Sequence, residues 1–128
     1  MKRIFTTPGL PEAQGAYSMA TIANGFVFVA GQGPWDDNEK RFRGDLSVKE
    51  QTRLVLECIK KILEQAGSSM ENVVQARVFL RDKSDFKEMN EAYAEYFANI
   101  KPARTTVEAS PPVDIKVEID VTAVIPNK

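Results

Sequence analysis

The 128-residue chain contains no histidine. That absence excludes the Ser-His-Asp and Cys-His nucleophilic arrangements, together with the side chain that most often acts as general base near neutral pH. Histidine-containing zinc sites go with it, and the single cysteine, Cys58, cannot build a thiolate-only site. No metal and no cofactor are expected. One cysteine also leaves no intrachain disulfide, which fits a reducing compartment and makes the cytosol the expected location. No hydrophobic run approaches the roughly 18 residues of a membrane span, and no apolar segment of a secretory signal follows Met1-Lys2-Arg3. A membrane partner is not expected. Neither sign of charge dominates: 17 Lys and Arg face 18 Asp and Glu, for a net charge of −1. No broad field draws phosphate backbones, so nucleic acid is a disfavoured partner. Any catalysis falls to carboxylates, arginine, lysine, tyrosine, hydroxyls or backbone groups.

What is present suits one domain spanning residues 1–128. Ser18 to Ala23 and Phe26 to Ala30 flank Asn24-Gly25, the pair that favours a two-residue hairpin turn. Trp35 to Asp45 is polar and reads as a loop. Ser47-Val48-Lys49-Glu50 has the form of a capping box. Behind it Val48, Thr52, Val55, Ile59 and Ile62 recur at helical spacing until Gly67, with Cys58 read as core packing. Val73 to Leu80 reads as a strand with Val74, Ala76, Val78 and Leu80 on one face. Asp85 opens a second helix with a stripe of Phe86, Met89, Tyr93 and Phe97. Two strands, Arg104 to Ala109 and Lys116 to Val124, close the chain around a Ser110-Pro111-Pro112-Val113 loop. The order β, β, β, α, β, α, β, β predicts an α+β fold, a mixed sheet backed on one face by two helices. The other sheet face is then either solvated or an interface between subunits.

Arg104 is the foremost candidate for chemistry, because its planar fork can hold a carboxylate through two parallel hydrogen bonds. If the last two strands pair as a hairpin with Thr106 opposite Glu118, then Arg104 faces Asp120 and all four share one sheet face. Such a set could orient a water against a bound carboxylate; the plainer reading is a surface ion-pair ladder. Gly31-Gln32-Gly33-Pro34 at a strand end could offer backbone N–H groups to an anion, and Tyr17 could lend a phenol. Asn90, beside an apolar stripe, needs hydrogen-bond partners.

Pro102-Ala103-Arg104-Thr105-Thr106-Val107-Glu108 and Val117-Glu118-Ile119-Asp120 together resemble the signature of the RidA (YjgF) family of enamine/imine deaminases. Gly15-Ala16-Tyr17-Ser18, Ala30-Gly31-Gln32 and Asp85-Phe86 followed by Asn90 extend the resemblance over essentially the whole chain. It implies a chorismate-mutase-like fold assembled as a barrel-like homotrimer with sites between subunits. It also implies hydrolysis of 2-aminoacrylate and 2-iminobutyrate to 2-oxo acids and ammonia, with a small imino or 2-oxo acid as partner and no cofactor. On that resemblance Arg104 clamps the carboxylate and Glu118 activates water. Tyr17 lines the pocket from the partner side, the Gly31 backbone contacts ligand and Asn90 supports the site. Two positions depart from the family pattern: Ala30 stands where serine is common and Thr106 where cysteine is. Loop 110–113 lacks the basic residue often found there. A non-catalytic 2-oxo-acid-binding trimer is the alternative, and a ribonuclease or translation inhibitor a third that the balanced charge disfavours.

Overall fold

The computed structural model describes residues 1–127. Strands β1 (Lys2–Ile4), β2 (Ala20–Ala23) and β3 (Phe26–Gln32) form an antiparallel meander. Asn24 and Gly25, with φ of 50° and 80°, make the tight turn between β2 and β3. Both central residues of that turn type need positive φ, which these two tolerate. Trp35 to Asp45 is not a simple loop. It holds a small hairpin, β4 (Trp35–Asp36) with β5 (Arg41–Phe42). Its turn is seeded by Asp36 Oδ1, which accepts from the Asn38 and Glu39 N–H groups, and the Trp35 and Phe42 rings meet edge to face at 5.2 Å. Side-chain chemistry closes the hairpin where backbone propensity alone predicts irregular chain.

Helix α1 (Val48–Gln65) begins with half of the expected capping box: Ser47 Oγ accepts from Glu50 N, while the Glu50 carboxylate accepts from the Ser47 hydroxyl rather than from its backbone N–H. It ends at Gly67, whose φ is 88°. Its buried face includes Val55, Cys58, Ile59 and Ile62, and burial pushes the Cys58 thiol up to about 11, as befits an unreactive core residue. Helix α2 (Phe86–Phe97) starts where expected, but the Asp85 side chain does not cap it. Instead Asp82 caps the single turn before it through Ser84 N. Met89, Tyr93 and Phe97 are buried as the stripe predicts, whereas Phe86 stays exposed.

Strands β6 (Val73–Leu80), β7 (Ala103–Glu108) and β8 (Val117–Val124) complete a six-stranded sheet in the order β1-β2-β3-β8-β6-β7. This corrects the expected terminal hairpin. β7 and β8 do not pair; β6 lies between them, parallel to β7 and antiparallel to β8. The reason is connectivity: β6, α2 and β7 form a strand–helix–strand crossover, which places its two strands side by side and parallel. A bulge between Val73 and Gln75 also shifts the face of β6. Val73, Ala76, Val78 and Leu80 point into the core, and Val74, expected inside, is 44% exposed. Val117, Ile119, Val121 and Ala123 of β8 meet them under the helices, as their alternation predicts. The opposite face is open and mixed. It carries Phe26, Phe28, Gln75, Arg77, Val107, Glu118 and Asp120, with Arg77 gripping Asp120 through two hydrogen bonds of 3.0 and 2.8 Å. Among the described residues no helix is long and apolar enough to cross a membrane.

Candidate active site

Arg104 lies on the edge strand β7, level with Ala76 of β6. Neighbouring strands keep the same residues on the same face, so its side chain follows buried Ala76 toward the helices. There α2 receives it. The Arg104 guanidinium lies 4.7 Å from the Tyr93 ring centroid and 5.6 Å from that of Phe86. Its Nη1 donates to Asn90 Oδ1 at 2.8 Å. Stacking and one hydrogen bond fix the plane of the fork, and among the described residues no carboxylate pairs with it. The charge fronts an open groove of about 360 Å³ between α2 and β7, with Lys101 and Pro102 on its rim. Burial raises the Tyr93 phenol, opposed by the neighbouring Arg104 charge. Thr106, two residues along β7, faces the same way. Its buried Oγ1 has no hydrogen-bond partner, and it borders a smaller cleft with Phe86.

Glu118 belongs to a different place. On β8 it lies opposite Phe79, between the inward-facing Val117 and Ile119, so it stands on the open face. Beside it β3 bulges at Ala30 and Gly31. The Glu118 carboxylate lies against the Gly31 backbone: a Cβ at position 31 would overlap a carboxylate oxygen and come within 2.9 Å of Cδ. A side chain at position 31 would have to displace the Glu118 carboxylate. Burial, with repulsion from Asp120, raises the Glu118 carboxyl above its usual range. Tyr17 is exposed on the preceding loop, where its Oη accepts from Gln14 N, and with Gly31 it borders a cavity of about 250 Å³.

The sequence-predicted residues therefore form two groups. Arg104, Asn90 and Thr106 face the helices; Glu118 lies against Gly31 on the open face, next to Ala30 and near Tyr17. The expectation that Arg104, Thr106, Glu118 and Asp120 share a face fails, because inserting β6 between the last two strands changes the register on which it depended. The partner of Asp120 is Arg77. Tyr93 and Phe86 were legible only as core stripe. Their role as a platform beneath Arg104 had one faint signal, aromatics seven residues apart that bracket Asn90.

A family model described as Endoribonuclease L-PSP matches residues 8–125. The chain belongs to this family, the YjgF/RidA family. Among its RidA-family relatives is a RutC family protein of Pyrococcus horikoshii, 47% identical over 125 residues that span 96% of this chain and 98% of that one. Reactive Intermediate Deaminase A, chloroplastic, of Arabidopsis thaliana is 37% identical, over 97% of this chain and 66% of the plant protein. The crystal structure of E. coli TdcF with bound serine superposes with a TM-score of 0.87 at 33% identity, covering 96% of this chain and 98% of TdcF. Two helices on a mixed sheet are thus the RidA-family fold.

Proposed function

We propose that the chain hydrolyses small reactive 2-imino acids and their enamine forms, 2-iminobutyrate and 2-aminoacrylate, to 2-oxo acids and ammonia, as a homotrimer and without a cofactor. The observation that carries this reading is a carboxylate clamp without a carboxylate: the stacked Arg104 fork held by Asn90. The Arabidopsis relative's name points to the reaction class. The serine bound to E. coli TdcF has the carboxylate–carbon–nitrogen array of a 2-imino acid.

An imine carbon is already electrophilic, so the enzyme's task is orientation and a placed water. Arg104 holds the carboxylate of the substrate. Glu118 takes a proton from water as its oxygen bonds to the imine carbon. Glu118 passes that proton to nitrogen, giving a carbinolamine; the hydroxyl then gives up the second water proton through Glu118 to nitrogen as the carbon–nitrogen bond breaks, so ammonia leaves and the 2-oxo acid remains. The unpartnered Thr106 hydroxyl is a ready hydrogen-bonding group for water or ligand, a job that needs no cysteine. Tyr17, the Gly31 backbone and Ala30 line the Glu118 half.

Glu118 lies two strands from Arg104, about 10 Å across the sheet, level with Val107 and so three residues, about 10 Å, along it. It also faces the other way. A site using both residues therefore takes them from two copies of the chain. The open face supports assembly, since Phe26, Phe28 and Val107 are each at least 40% exposed there and would be covered by a second copy. The cytosol is the proposed compartment, resting on the unpaired Cys58, although the plant relative is named chloroplastic.

The test couples the purified protein to a threonine dehydratase and follows 2-oxobutyrate release while semicarbazide competes for the imine. Faster release than the uncatalysed reaction, lost in Arg104→Ala, is the expected result. Binding of 2-oxobutyrate with no acceleration on any imine would mark a binding protein instead.

A further inference from the structure

We propose that the cavity beside Gly31 walled by Trp35 and Phe42 is the subsite for the substrate's side chain, and that it favours 2-imino acids with bulky apolar side chains, isobutyl to benzyl. The inference rests on the imino-acid reading above.

The cavity holds about 250 Å³ and shares Tyr17 and Gly31 with the Glu118 half of the candidate site. A substrate whose carbon skeleton lies over Gly31 therefore has this space next to it. Met19, Trp35 and Phe42 make its apolar wall. A cavity of about 150 Å³ lined by apolar groups admits benzene, so this one has room for a six-carbon ring. Glu12, Gln14 and Gln32 stand at its polar side, and an ethyl group would leave most of the apolar wall uncovered.

The wall is built rigidly. Gly33 has no side chain, and a Cβ there would stand 3.0 Å from the Phe42 ring and 3.2 Å from Ile115 Cδ1. The ring thus lies against the backbone and leaves the cavity open. Trp35 packs edge-on against Phe42, and its Nε1 donates to Asp37 Oδ1 at 3.3 Å. Arg43 then locks the hairpin that carries both rings, bonding Asp36 and Glu39 at 2.8 Å and Asp45 at 3.1 Å. Aromatic walls held before ligand arrives lose little freedom on binding.

Two measurements test this. Imines are generated in situ by a flavin-dependent amino-acid oxidase from L-2-aminobutyrate, L-leucine and L-phenylalanine, with catalase present and semicarbazide as competitor. The expected result is a kcat/KM for the leucine- and phenylalanine-derived imines at least equal to that for the ethyl imine. Ala13→Leu, which fills the cavity from its outer loop, should lower the isobutyl-to-ethyl ratio by about tenfold. Because Trp35 is the only tryptophan, 4-methyl-2-oxopentanoate should also shift its fluorescence, and at lower concentration than 2-oxobutyrate does. Acceleration confined to the ethyl imine, or Trp35 fluorescence that ignores 4-methyl-2-oxopentanoate, would overturn the subsite and leave the proposed reaction standing. Failure on every imine, ethyl included, would remove both.

Discussion

Arg104 and Glu118 stand on opposite faces of one sheet: the first stacks on Tyr93 beneath helix α2, the second lies against Gly31 on the side without helices. In the proposed site these are two halves contributed by different chains. Arg104 has its platform and its Asn90 partner, and Glu118 has a fitted recess in the β3 bulge. Removing the fork should therefore be severe. Arg104→Ala is expected to lower kcat/KM by about a hundredfold or more, and Arg104→Lys to recover little, since an ammonium cannot match two carboxylate oxygens at once. Steady-state kinetics with the dehydratase-coupled assay check this, with circular dichroism confirming the fold.

Gly31→Ala is a second probe. Its Cβ would need space held by the Glu118 carboxylate, so the expected outcome is a displaced Glu118 and a large loss in kcat. Thermal unfolding should change far less than for a core cavity mutant, because the position is exposed. A variant with unchanged kcat would show that Glu118 moves aside without consequence.

Much of this arrangement was legible in the sequence. The Asn24-Gly25 turn, the Ser47 capping box and the helical stripe to Gly67 are local signals, and local physics fixes them. The partnership of Arg104 with Asn90 was legible only through resemblance, because it joins a strand to a helix. What failed was non-local. No residue in Arg104 to Ala109 states that β6 will insert beside it; only the strand–helix–strand connection carries that information. The misplaced Val74 follows from a bulge, where one extra residue reverses the alternation.

Glu118 predicts a stability effect with a definite sign. Its folded pKa is raised by burial and by Asp120, so the folded state binds its proton more tightly than the unfolded chain does. Stability from this group is greatest below the unfolded carboxyl value and falls as pH rises through the folded one. Glu118→Gln should therefore raise the melting temperature at neutral pH, with the difference from wild type shrinking as pH drops below the ordinary glutamate range. The same variant should lose activity, and the acid limb of the wild-type kcat/KM profile should lie above the ordinary glutamate pKa. Melting curves across a pH series read the first effect and initial rates the second.

Ser47→Ala removes the side-chain cap of α1, in which the Ser47 hydroxyl accepts from Glu50 N at 3.2 Å. It should cost about 1 kcal/mol in stability by urea titration, with kinetic constants unchanged, because the cap lies outside both halves of the site.

The inter-subunit site is tested most directly by mixing two inactive variants. Arg104→Ala and Glu118→Ala chains, carrying different tags and co-assembled in equal amounts, are assayed against each parent alone. If each site takes its arginine from one chain and its glutamate from the next, about one quarter of the sites in a random mixture are intact, and activity returns to about one quarter of wild type. A mixed assembly no more active than its parents would contradict the account.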